Sequence, residues 1–232
     1  FALARIKPSS LNEPDSEELV AAAKKEGLST IKSHLIRATG PLRYAHGGRE
    51  ELLNDALTHT AANVRIAVAR TAVSTGWTGL LELLSDPDHS VAIAAIEAVG
   101  RMPQLDRLQH LGPIVRSGGL LEHNEDSPVD PRLAKAVAAL NALDVPSIWW
   151  ENDTARYNRV QNGLLPSLTQ YMSEERAPLI RRAATSISTD PNNLMRLANS
   201  DPDTGVRTAA ASRLLGGRGS FLRAMRLLNS KD

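Results

Sequence analysis

Apolar residues recur at three- and four-residue intervals along most of the chain, and no Val/Ile/Thr alternation interrupts them. That period predicts helices and no sheet. An irregular lead-in over 1–14, holding Pro8 and Pro14, is followed by Ser16, Glu17 and Glu18. Acids in a first turn complement the exposed amides there, so this cluster starts a helix, and Gly27 ends it. A second helix is predicted over 28–38, before Gly40-Pro41, and a third over 49–59, where Leu52, Leu53, Ala56 and Leu57 share a face. Asn63 is predicted to cap the next, with Val64, Ala67, Val68 and Thr71 inward and Gly76 at its end. Further helices are expected after Trp77, after Asp88 (Val91, Ala94, Ala95, Ala98, Val99), after Asp130-Pro131, over 164–172, over 179–187, after Asp190-Pro191 and over 220–229. The middle, 104–130, is the least regular, and Gly118-Gly119 read as a loop.

Two of these segments share one wording. A leucine-bearing helix runs into Ser85-Asp86-Pro87-Asp88 and another into the identical Ser200-Asp201-Pro202-Asp203. Two linker residues, a valine (Val91, Val206), an alanine-rich helix and a glycine then follow in both. A repeated helix-turn-helix unit implies an all-α solenoid, a superhelix of stacked antiparallel pairs. One continuous solenoid over 15–232 is the expectation, with 77–102 and 190–217 its clearest repeats. In the closing helix, 220–229, Phe221, Leu222, Met225 and Leu228 lie to one side and Arg223 and Arg226 elsewhere. It reads as a terminal cap, or as a basic amphipathic arm for RNA, an acidic partner or a membrane surface.

The grammar of leucine helix, Asp-Pro-Asp, two residues, Val-(Arg), alanine helix and Gly resembles the HEAT-like repeats. It is most similar to the short kind seen in phycobilin lyase-related and many bacterial proteins. The resemblance covers 49–216, with two close copies and several looser ones. It implies an acid in the turn and an arginine six residues later that bridge neighbouring repeats. Asp201 with Arg207, Asp126 with Arg132 and Glu175 with Arg181 have that offset. Six beyond Asp86 stands Ala92, so the first copy is expected to leave the ladder incomplete.

Composition narrows the picture. Aromatic residues make up 3% of 232 and the apolar fraction is 42%, so the core must be built of Ala, Leu, Val and Ile. The formal charge of +1 gives no overall field towards nucleic acid or anionic lipid. The absence of cysteine excludes disulfides, thiolate metal sites and a cysteine nucleophile. No run approaches the roughly 18 apolar residues of a membrane span. The sequence opens at Phe1 rather than Met, so a fragment or processed form is expected, and a cytoplasmic location is the default.

Few side chains propose chemistry. Arg65, Arg132, Arg181 and Arg207 either line a groove, meeting acids or phosphates, or hold turn carboxylates as a structural ladder. Trp149-Trp150 is the oddest apolar feature; on a helix Trp149 and Asp153 share a face. One HEAT-like family, the bacterial alkylpurine DNA glycosylases, uses a Trp/Asp pair of this kind on a helix, with an arginine and another tryptophan supplied by later helices. Arg181 or Arg182 fits the arginine's place, but no tryptophan follows Trp150. The other reading is packing or a partner interface. The histidines, at 34, 46, 59, 89, 110 and 123, lack helical metal-site spacing, no phosphate loop is present, and no cofactor or metal is expected.

The leading expectation is a non-enzymatic interaction scaffold that binds a protein on the concave face of its second helices. Arg65, Arg70, Arg181, Arg182 and Arg207 are its candidate charged contacts, and Trp149 and Trp150 its aromatic anchors. The alternative is a DNA-binding, glycosylase-like protein with Asp153 and Trp149 at its centre. A lyase or chaperone of a pigment-binding protein rests on the repeat resemblance alone.

Overall fold

A computed structural model of the chain describes residues 12–42, 46–102, 106–121, 130–143, 168–188 and 190–215. The expected closing helix 220–229 and the segment 149–157 lie outside the described residues. Every regular element among the described residues is helical. Contacts gather into two compact units, Phe1–Leu105 and Asp106–Asp232.

The first unit holds α1 (Glu13–Lys25), α2 (Ser29–Thr39), α3 (His46–Leu57), α4 (Ala62–Thr75), a 3₁₀ helix (Thr78–Ser85) and α5 (His89–Arg101). α1 begins earlier than the Ser16 cluster predicts. Asn12 Oδ1 accepts from the Asp15 amide at 2.9 Å, and Pro14 falls in the first turn, where its missing N–H costs nothing. α1 packs on α2, α3 on α4 and the 3₁₀ helix on α5, while α4 lies between α2 and α5. Buried Ala67, Ala72, Ala94, Ala95 and Ala98 let these second helices approach closely. Thr71 Oγ1 crosses that contact to donate to the Ile36 carbonyl, 3.3 Å away.

Two local expectations shift here. The cap of α4 is Ala61 rather than Asn63, because His59 Nδ1 accepts from the Ala61 amide at 3.0 Å and sets the turn two residues upstream. The leucine segment before the first Ser-Asp-Pro-Asp is a 3₁₀ helix rather than an α-helix. Its buried residues, Leu80 and Leu83, stand three apart, the spacing that shares a face in a 3₁₀ helix. Gly76 ends α4 as expected, at φ 71°, with its amide on the Ala72 carbonyl at 2.9 Å.

The second unit holds α6 (Arg107–Gly119), α7 (Pro131–Leu143), a helical turn at 168–171, α8 (Pro178–Ile187), α9 (Pro191–Ser200) and α10 (Thr204–Leu215). α6 places a helix at Arg107–Gly119 within the middle expected to be irregular, while 122–129 lie outside the described residues. Asp106 Oδ1 receives the Gln109 amide at 3.4 Å, and Pro113 stands on the exposed side. Gly118 and Gly119 belong to the buried end of α6 rather than to a loop. A Cβ on Gly118 would come within 2.1 Å of the Arg132 carbonyl oxygen, so the glycine is what lets α7 cross there. α7 packs on α6 and on α8, and α10 on α8 and α9. α8 therefore packs against both α7 and α10. No described helix is long and apolar enough to cross a membrane.

Candidate functional site

Four turns between consecutive helices share one arrangement. The residue two places before the next helix's cap accepts a hydrogen bond from that cap's amide. Glu26 receives Leu28 N at 2.7 Å, His59 receives Ala61 N at 3.0 Å, Asp86 receives Asp88 N at 2.8 Å and Asp201 receives Asp203 N at 2.9 Å. The second aspartate of each Ser-Asp-Pro-Asp is then the helix cap. Asp88 Oδ1 takes the Ser90 and Val91 amides at 2.9 and 3.4 Å, and Asp203 Oδ1 takes Val206 N at 2.9 Å. Such caps satisfy amides that the first turn leaves without partners.

The first aspartate has a further partner. Asp86 receives Arg65 Nε at 2.7 Å and Nη2 at 2.9 Å. Asp201 receives Arg181 Nε at 3.0 Å and Nη2 at 2.8 Å. Both are forked, bidentate pairs, and both are sequestered: the side chains of Arg181 and Asp201 are 3% and 0% exposed, those of Arg65 and Asp86 13% and 5%. The third guanidinium nitrogen, Nη1, turns back to carbonyls of the preceding turn. Arg65 Nη1 donates to His59 O at 2.7 Å and Thr60 O at 3.0 Å, and Arg181 Nη1 to Arg176 O. The bond to Asp86 raises the Arg65 guanidinium above its ordinary pKa, with partial burial opposing.

Two arginine–aspartate bridges are thus present, with partners other than those the resemblance implies. Asp201 is bridged by Arg181, twenty residues upstream, and not by the Arg207 carboxylate contact that the six-residue offset suggests. Arg207 Nη1 donates to the Asp201 and Pro202 carbonyls at 2.7 and 3.0 Å, and its Nη2 to Thr204 Oγ1 at 2.9 Å. Asp86 has its rung after all, from Arg65; Ala92 only means that the next rung has no arginine. Arg181 makes no bond to Glu175, and the exposed Arg132 pairs with Asp130, while Asp126 lies outside the described residues. Arg65 and Arg181, candidate partner contacts by sequence, are consumed inside the fold.

A different set of side chains faces outward. A groove of about 770 Å³ runs over α7, α8 and α10 of the Asp106–Asp232 unit. α7 contributes Val137 and Asn141, and α8 contributes Leu179, Arg182, Ala183 and Ser186. α10 lines it from Thr204 and Gly205 through Thr208, Ala209 and Ser212 to Arg213. These positions recur at three- and four-residue steps, one face of each helix. The floor is small or hydroxylated, Leu179 stands 58% exposed at its edge, and the lining carries two arginines and no acid.

Those arginines mark the two ends. Arg182 Nη1 lies 3.7 Å from where a Cβ on Gly205 would sit, over the first turn of α10. It is exposed and makes no ion pair among the described residues. Arg213 Nε donates to the Ser188 carbonyl at 3.2 Å, at the far end of α8. The eight-residue interval from Gly205 to Arg213 spans about 12 Å of helix. Arg182 is the one sequence candidate in this groove; Arg213, Ser186 and Thr208 were missed, although their spacing with Leu179 and Thr204 was readable.

The remaining candidates do not join it. Arg70 is exposed on α4, in the first unit. Trp149, Trp150 and Asp153 lie outside the described residues. No group of histidine and acidic side chains among the described residues is arranged to hold a metal ion. Compared with known protein families, curated proteins and solved structures, the chain matches none of them.

Proposed function

We infer that the chain is a HEAT-like α-solenoid acting as a non-enzymatic interaction scaffold, and that it binds a protein partner along its second helices. The observation that supports this reading most is the division of labour among arginines. Arg65 and Arg181 are spent on internal aspartates, whereas Arg182 is displayed over a groove floored by small residues. Small floor residues admit close approach by a partner's backbone, and exposed Leu179 adds apolar area at the rim.

Affinity capture from the native cells tests this. The unaltered protein is compared with Ser212→Trp, which fills the groove from an exposed position, and with Arg101→Glu, an exposed change on α5. Loss of the same partners with Ser212→Trp alone is the expected result. Equal retention by all three proteins removes the groove from the account.

A further inference from the structure

We propose that the groove's occupant is an acidic α-helical segment of a partner protein, whose two carboxylates, seven or eight residues apart, meet Arg182 and Arg213. The proposal rests on the scaffold reading and adds the chemistry of the ligand. The lining carries an arginine at each end, and the carboxylate beside Arg182, Asp203 Oδ1, 3.0 Å from the Cβ position on Gly205, is engaged by the Val206 amide as the cap of α10. Arg182 lies over Gly205 and Arg213 stands eight residues further along α10, a backbone rise of about 12 Å, and acids at i and i+7 or i+8 on a helix span 10.5–12 Å, both at about 1.5 Å per residue. Between them the floor is Ala183, Ser186, Gly205, Thr208 and Ala209, shallow enough for a helix to lie close.

An extended segment fits less well. Strand addition requires unpaired backbone groups along an edge, and α8 and α10 satisfy theirs internally along their lengths. Duplex nucleic acid fits less well too, because affinity for phosphates is carried by about 6–10 cationic contacts, and this groove offers two. Helix-in-groove docking instead asks for apolar contact beside compatible charge, and the groove offers Leu179 and Val137 as apolar points and small residues between the two arginines.

The test is selection of helical peptides from a displayed library, randomised on one face, against the unaltered protein. Selected peptides are then titrated by fluorescence anisotropy. The expected outcome is enrichment of Glu or Asp at i and i+7 or i+8. Arg182→Glu and Arg213→Glu should each weaken binding tenfold or more, and a peptide with the matching Glu→Arg exchange should recover binding to the Arg182→Glu protein. Neutral or basic peptides blocked by Ser212→Trp would overturn the acidic-helix proposal while keeping the groove reading. Peptides indifferent to Ser212→Trp would overturn both. Binding of a labelled DNA duplex, lost with Arg182→Glu and Arg213→Glu, would overturn the proposal in favour of nucleic acid.

Discussion

Arg181 and Asp201 meet through two parallel bonds, 3.0 and 2.8 Å long, with both side chains sealed from solvent. Removing either partner strands a buried charge, which costs about 3–5 kcal/mol. Arg181→Ala and Asp201→Ala are therefore each expected to destabilise the fold by that amount in urea unfolding. The double variant Arg181→Met/Asp201→Leu should recover part of it, since a packed apolar pair needs no solvation but leaves the Asp203 amide and the Arg176 carbonyl without their bonds. Equal losses in single and double variants would contradict this account of the rung.

Asp88 supplies the cap of α5 through the Ser90 and Val91 amides. Asp88→Ala is expected to cost about 1 kcal/mol, and Asp88→Asn or Asp88→Ser much less. Thermal unfolding of the three proteins gives the comparison.

Gly118 and Gly27 offer a matched pair. A Cβ at Gly118 runs into the backbone of Arg132, whereas one at Gly27 meets nothing within 4 Å. Gly118→Ala is expected to destabilise by about 1–3 kcal/mol, as overpacking against rigid atoms does. Gly27→Ala should stay within about 0.5 kcal/mol of the starting protein. Denaturant midpoints report both.

Much of the fold was legible where a local signal decides the matter. The Ser-Asp-Pro-Asp copies, Asp130-Pro131, Pro178 and Asp190-Pro191 all mark real helix starts, because caps and first-turn prolines act within three residues. Longer-range facts were not legible. Asp201's partner stands 20 residues upstream and Asp86's 21, so a rule built on a six-residue offset chose the wrong arginine. α6 was hidden because Gly118 signals a loop by type, and its reason for being glycine is the carbonyl of another helix. The groove was hidden for a similar cause. Arg181 and Arg182 are neighbours in sequence, and only the helix phase sends one into the rung and the other outward.

Charge at the groove should be separable from stability. Arg182→Glu changes an exposed side chain that makes no ion pair among the described residues, so its unfolding free energy should stay within about 0.5 kcal/mol while partner capture falls. Raising the salt concentration should weaken capture by the unaltered protein more than by Arg182→Glu, because exposed charge pairs are screened over about 10 Å at 0.1 M.

The scaffold reading also predicts that alkylated DNA incubated with the protein releases no methylated purine. Release that disappears with Asp153→Asn would replace this reading with base excision.

The most direct test of the groove places a photo-reactive residue at position 208, on the exposed floor side of α10, with a second protein carrying it at Glu97 on α5. After irradiation in the native cells, the account predicts a discrete cross-linked partner from position 208 that is lost when Arg182→Glu is added, and none from position 97. Cross-linking only from position 97, or from 208 with no response to Arg182→Glu, would contradict it.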